Sequence, residues 1–280
     1  MRFEKWQALG NDYLIIEDAE LPFELTVERI RRICDPHTGV GADGILLLSP
    51  PPSAAFVAGL RIFNPDGSEA ELSGNGARQA IMYLRHRGFT DEDEFAIHTP
   101  AGPIRPQITG PDTCSVDMGR ASTVSADFPG GRPDGRGELV AGGRTWRFQH
   151  VSIGNPQCAI RSDELDSLDL PAIGPAIEHH ASFPRRTNVS WFTELEPGLL
   201  RVRIFERGVG ETLASGTGAS GAAVAYHLAG GPPAVGVELD GGRLDVVIGP
   251  DLNVNLTGWA RPVYRGELSD TFQKELDETE

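Results

Sequence analysis

Apolar residues come along this chain in short runs rather than in long helical stripes. Tyr13-Leu14-Ile15-Ile16, Gly44 to Leu48, Leu60 to Phe63, Leu200 to Phe205 and Leu244 to Ile248 alternate or run apolar over strand length. Gly and Pro, at 34 and 21, break the sequence between them. The pattern predicts strands of a largely antiparallel or mixed sheet. Val27, Ile30, Ile33 and Cys34 recur at helical spacing behind Thr26, a residue suited to an N-cap. Helical stretches are few beside strands, so the expected class is α+β with curved sheets.

One pattern occurs twice. Arg61-Ile62-Phe63 to Ser73-Gly74-Asn75-Gly76-Ala77 lines up without a gap against Arg203-Ile204-Phe205 to Ser215-Gly216-Thr217-Gly218-Ala219, with eight of seventeen positions identical. Leu9-Gly10-Asn11-Asp12 recurs as Ile153-Gly154-Asn155-Pro156 at nearly the same distance upstream. Two copies are too few for a solenoid. They imply two homologous domains, with a boundary near Asp117 to Pro129.

Each Ser-Gly-X-Gly-Ala reads as a tight loop leading from a strand into a helix. Ala77, Ala80, Ile81 and Leu84 continue at helical spacing to a stop near Gly88; Ala219 to Ala229 is small or apolar nearly all round, as in a buried helix. Taken singly, Ser73 and Ser215 are N-caps. Glycine at a helix entrance also lets a ligand approach the backbone, where N–H groups and the positive dipole end favour an anion. Two such entrances from two similar domains, facing across a cleft, suit a carboxylate whose α-carbon is approached from opposite faces. No Gly-X-Gly-X-X-Gly dinucleotide fingerprint and no Gly-Lys-[Ser/Thr] phosphate loop is present.

Charge and cysteine content narrow the field. A net charge of −15 argues against a nucleic-acid partner. The acids cluster in Asp91-Glu92-Asp93-Glu94, read as a solvated face, and in the tail from Glu267, read as a frayed terminus. Cys34, Cys114 and Cys158 are scattered, which fits neither a zinc site nor a disulfide framework and points to a reducing cytoplasm. No apolar run is long enough for a membrane span, and the N-terminus reads as a strand rather than a signal peptide.

With these motifs in order, the chain resembles the diaminopimelate epimerase family along nearly its whole length. The resemblance runs through Ala8 to Tyr13, Gly39-Val40-Gly41-Ala42-Asp43, Arg61 to Ser68 and Gly74 to Arg78. It continues through Gly154-Asn155-Pro156, Thr187-Asn188-Val189, Glu206 to Thr212, Gly216 to Ala219 and Gly241 to Leu244. It implies two pseudo-symmetric domains, each a curved sheet wrapped around a central helix, over residues 1–117 and 118–262, with 263–280 returning to the first. It also implies no cofactor, a homodimer, and interconversion of LL- and meso-diaminopimelate by a thiolate and a thiol on opposite faces of the α-carbon. Carried over by position, Asn11, Asn64, Asn155, Asn188, Glu206 and Arg207 are substrate ligands. Backbone groups of Gly74-Asn75 and Gly216-Thr217 hold the reacting carboxylate.

Three departures from the family stand out, at four positions. Ser73 and Ser215 stand where it has its catalytic cysteines, Gln157 where a histidine is usual, and Gly44 where many members have Gln. The three together read as natural divergence rather than a deliberate Cys→Ser replacement. A thiol titrates near neutrality when assisted; a hydroxyl needs an adjacent base. Gln157 cannot take a proton, so the Ser73 side has no evident base, whereas the Ser215 side keeps Glu206. Cys158 falls on an alternating strand pattern and reads as structural. Glu178-His179-His180 reads as a solvated helix end, and His37 as a residue near the Gly39-Val40-Gly41 loop. Three functions remain open: an epimerase with an altered base pair, an amino-acid-binding paralogue without turnover, and a carboxylate-based isomerase like those of phenazine biosynthesis.

Overall fold

The apolar runs become strands; Tyr13 to Ile16 and Ile45 to Leu48 are buried on both faces, whereas Leu244 to Ile248 alternates buried and exposed. The computed structural model describes residues 1–70 and 73–279 and divides the chain into two compact units, Met1–Val116 with Gly258–Glu280, and Asp117–Thr257. Five helices, α1 (Val27–Cys34), α2 (Gly74–His86), α3 (Leu170–Glu178), α4 (Gly216–Leu228) and α5 (Asp270–Asp277), accompany the strands among the described residues. The class is α+β.

In the first unit the strands lie in the order Arg261–Glu267, Arg2–Ala8, Asn11–Glu17, Ile45–Ser49, Ala58–Phe63, Ile97–Thr99 and Gly102–Ile104, with Glu69–Ala70 paired to Ala58–Phe63. In the second they run Arg136–Ala141, Arg144–Ser152, Pro156–Arg161, Asn188–Glu196, Leu199–Glu206, Ala234–Leu239, Gly242–Ile248 and Asn253–Trp259, with Gly210–Thr212 on Leu199–Glu206. Both sheets contain the same two parallel crossovers. Asn11–Glu17 joins Ile45–Ser49 by way of α1, as Pro156–Arg161 joins Asn188–Glu196 by way of α3. Ala58–Phe63 joins Ile97–Thr99 by way of α2, as Leu199–Glu206 joins Ala234–Leu239 by way of α4.

The second helix of each set is the central one. Every residue of α2 from Asn75 to Leu84 is buried, and α4 is buried from Gly216 to Tyr226 except at Thr217. α2 packs on Arg2–Ala8, Asn11–Glu17 and Arg261–Glu267, and α4 on the strands from Arg144 to Ile248. On its other face each sheet is closed by a cluster: Phe3, Leu14, Ile33 and Phe63 in the first unit, and Trp146, Ile160, Phe183 and Trp191 in the second.

The structure corrects two local expectations. The acidic tail does not fray. Leu268, Phe272 and Leu276 recur every four residues, Ser269 caps α5 by accepting from Phe272 N at 3.2 Å, and Leu276 is fully buried with its carbonyl held by Arg29 at 2.7 Å. The alternation expected around Cys158 is also not found. Pro156–Arg161 is buried from Pro156 to Ile160, because Cys158 and Ile160 join the Trp146 cluster while Gln157 faces Gly221 of α4. A Cβ on Gly221 would stand 2.8 Å from Gln157 Cβ, so the helix rests directly on that side chain.

Candidate active site

The repeated sequence makes the same local structure in both units. Arg61 binds Glu69 through Nε and Nη2, each at 2.9 Å; Arg203 binds Glu211 at 3.1 and 2.6 Å. The pair ties a strand to the short return strand and so aims the chain at the next helix. Ser73 (φ −130°, ψ 119°) accepts from Gly76 N at 3.1 Å, and Ser215 (φ −136°, ψ 125°) from Gly218 N at 3.3 Å. Both are N-caps of thirteen-residue buried helices. First-turn N–H groups have no carbonyl upstream within a helix, and the dipole adds positive potential there. Each loop is thus shaped to receive an anion.

In the second unit the expected site residues are joined in one network. Asn155 Nδ2 donates to Thr217 Oγ1 at 3.2 Å, and Thr217 Oγ1 lies 3.5 Å from Ser215 Oγ. Gln157 Nε2 donates to Asn155 Oδ1 at 2.6 Å, which fixes which way that amide points. Asn188 Nδ2 donates to Pro156 O at 3.0 Å and its Oδ1 accepts from Arg207 N at 2.9 Å. Thr212 Oγ1 donates to Glu206 Oε1 at 2.8 Å. Burial pushes the Glu206 carboxyl above the usual carboxylate range, against the opposing pull of hydrogen bonds from Ser215 and Thr212. A carboxyl group raised by burial and held beside a serine cap is a better proton acceptor than a fully solvated carboxylate.

The first unit is arranged differently. Asn11 Nδ2 donates to Asp43 Oδ2 at 2.7 Å, and Gln79 Nε2 of α2 donates to Asn11 O at 3.0 Å, so Asn11 is anchored to the central helix. Asn64 is bonded to Ser68 Oγ at 3.0 Å within its own hairpin. Ser73 Oγ accepts from Tyr13 OH at 3.4 Å. Asn75 Oδ1 accepts from Arg78 Nη2 at 2.6 Å, and Gly74 O from Arg78 Nη1 at 3.1 Å. Gly44 has a steric reason: a Cβ there would lie 2.2 Å from Phe63 O and 2.6 Å from the Tyr13 ring. Its φ of +156° also disfavours a side chain. The Tyr13 ring occupies the space into which a longer residue at position 44 would extend.

Other candidates fall away from these networks. Cys34 and Cys114 are buried with thiols pushed up to about 12, and burial raises Cys158 well above the ordinary thiol value, so none is a ready thiolate. His37 is exposed, its N–H donated to Asp35 at 2.9 Å. His179 is exposed at the end of α3, but Glu178 beside it is not solvated as expected. It is 4 % exposed and accepts from Gly208 N at 2.9 Å and Arg186 Nη1 at 3.3 Å, because it carries the loop that follows Arg207. Among the described residues no group of three His, Cys, Asp or Glu is placed to hold a metal ion. A cavity of about 770 Å³ in the second unit is walled by Phe128, Arg132, Phe148, Phe192 and Tyr226 among others, and no residue of either Ser-Gly-X-Gly loop lines it. Tyr13, Asp43, Gln79, Thr212 and Glu178 were not among the expected site residues, although Tyr13, Asp43 and Thr212 lie inside motifs that carry the family resemblance.

Comparison with known proteins bears on family and fold. The family model described as diaminopimelate epimerase matches residues 3–124 and 149–261. A diaminopimelate epimerase of Synechococcus sp. (strain JA-3-3Ab) is 40 % identical over 282 residues, covering 96 % of this chain and 99 % of that protein. One from Desulforudis audaxviator (strain MP104C) is 42 % identical over 277 residues, covering 95 % and 99 %. Among solved structures, a phenazine biosynthesis protein of the PhzF family from Bacillus anthracis has the same fold, with TM-score 0.70 at 20 % identity over 96 % of this chain and 99 % of its own. Duplicated capped loops, full-length similarity and fold together place the chain: it belongs to the diaminopimelate epimerase family.

Proposed function

We propose that the protein is a cofactor-independent amino-acid epimerase, an isomerase that inverts the α-carbon of diaminopimelate from the LL to the meso form for lysine and peptidoglycan synthesis. Glu206 is the observation that carries this reading. It is an acid whose carboxyl is raised by burial, held by Thr212 and next to the Ser215 cap of an anion loop. In this reaction Glu206 takes the α-proton and the remaining charge spreads into the adjoining carboxylate. The N–H groups of Gly74, Asn75, Gly216 and Thr217 stabilise that charge. Ser73 returns a proton to carbon and takes one from the Tyr13 phenol, which donates to it at 3.4 Å. Glu206 ends protonated and Tyr13 ionised, and both reset by exchange with water. Asn11, Asn64, Asn155, Asn188 and Arg207 bind the amino groups and the distal carboxylate.

The test is α-hydrogen exchange in deuterated water with LL- and meso-diaminopimelate. Exchange with inversion supports the proposal; neither, at high protein concentration, sinks it. Serine at both thiol positions favours a second reading, an amino-acid-binding paralogue, which predicts calorimetric binding of diaminopimelate without exchange. Glu206 also suits a carboxylate-based isomerase, which predicts turnover of a different acid substrate and none of diaminopimelate. The homodimer and cytoplasmic setting implied by the family belong to the same proposal. Val263 and Tyr264, exposed on the edge strand Arg261–Glu267, support the dimer, and sedimentation checks it. No described helix is long and apolar enough to cross a membrane.

A further inference from the structure

Arg78 is out of place by ordinary packing rules. It is fully buried on α2, and among the described residues it has no carboxylate partner. Its Nε is buried without a hydrogen bond. A buried cation normally requires a paired acid, since removing it from water is costly. Burial lowers its pKa only to about 10, so it remains charged at neutral pH. Its two terminal nitrogens reach back one turn to Gly74 O and Asn75 Oδ1, the first two residues of α2. The Gly76 amide in the same turn is turned inward to Ser73 Oγ at 3.1 Å.

We infer that Arg78 is a positioning residue that makes the Ser73-Gly74-Asn75-Gly76 loop a permanently charged carboxylate site, its missing counter-ion being the bound anion itself. The guanidinium orients the Asn75 side chain and holds Gly74, and its charge adds to the helix dipole behind the N–H groups that meet the ligand. The repeat shows that this is specific to one loop. Continuing the gapless alignment, Arg78 falls opposite Ser220, a buried neutral residue of α4. The loop of the first unit therefore carries the carboxylate-holding role more strongly than its twin. This deepens the proposed epimerase reading and rests on it only for the identity of the acid.

The test follows the backbone amides of Gly74, Asn75 and Gly76 by NMR in the whole protein, during titration with diaminopimelate and separately with acetate at constant ionic strength. Both ligands are expected to shift these amides. Arg78→Met is expected to weaken both by about tenfold or more, while Arg78→Lys retains most of the affinity. Thermal stability of Arg78→Met is expected to be equal or higher, because an unpaired buried charge has been removed; a purely structural arginine would lower stability and leave affinity alone. Response to acetate but not to diaminopimelate defeats the substrate assignment and leaves this inference standing. No response to either, or unchanged affinity in folded Arg78→Met, overturns it. Should Arg78→Met not fold, Arg78→Gln takes its place: it keeps a donor for Asn75 without the charge, and affinity equal to that of Arg78→Lys overturns the inference.

Discussion

The two copies of the loop share their scaffold and differ in their charge. Both have the Arg–Glu pair, the serine cap and the buried thirteen-residue helix. Among the equivalent positions that differ, three bear on the proposed chemistry: Asn64, Ala70 and Arg78 in the first unit stand against Glu206, Thr212 and Ser220 in the second. Behind the first loop stands the buried cation Arg78; beside the second stands the partly buried acid Glu206. On the mechanism proposed above, duplication supplied two similar frames and substitution divided the labour between them, with charge stabilisation in the first and proton acceptance in the second. In this view the serines are tolerable because the acid–base work has moved to Glu206 and Tyr13.

The largest expected effect comes from removing the acid of the second copy. Glu206→Gln should lower α-hydrogen exchange by roughly 10²–10⁴-fold, the usual contribution of a general base, with binding of diaminopimelate largely kept. The unmodified protein should show exchange rising with pH above the ordinary carboxylate range, as the raised Glu206 group ionises. The same group affects stability. Above that range the unfolded chain gives up a proton that the folded chain retains, so stability falls as pH rises toward the folded value. Glu206→Gln should abolish that fall and melt higher at neutral pH. Equal melting and undiminished exchange would remove Glu206 from the mechanism.

Restoring thiols to both copies tests whether the frame is still aimed at diaminopimelate. The Ser73→Cys, Ser215→Cys protein should exchange and invert at least about tenfold faster, since a thiol at a helix N-terminus titrates near neutrality. No gain would favour a different substrate. Tyr13→Phe should act on the first copy alone, slowing inversion by about tenfold while exchange through Glu206 persists. Measuring both rates on one sample reads the difference between the copies directly. The smallest effects probe what the copies share: Ser73→Ala and Ser215→Ala should each cost about 1 kcal/mol in denaturant unfolding. Markedly unequal costs would show that the two frames are less alike than their backbones.

Much of this was legible in the residue order. The gapless match between Arg61 to Ala77 and Arg203 to Ala219 is a local pattern, and its consequences are local: an ion pair eight residues apart, and a cap bonded three residues on. The α+β class followed from strand-length apolar runs. The tail was misread because Leu268, Phe272 and Leu276 are sparse among acids, and their spacing acquires meaning only when there is a surface to cover. Glu178 was misread for a related reason: an acid beside two histidines looks solvated until a distant loop, here Gly208, is folded onto it.

The sequence by itself determined the two frames, because capping, tight turns and short-range ion pairs depend on residues close along the chain. Only the tertiary structure decided their charges. Arg78 looks like any helix-surface arginine until the sheet wraps α2 and strips it of water. Glu206 looks like any strand acid until burial raises its carboxyl. Tyr13 meets Ser73, sixty positions further along the chain. Desolvation and long-range contact are properties of the packed molecule, and they turned two similar loops into unlike halves.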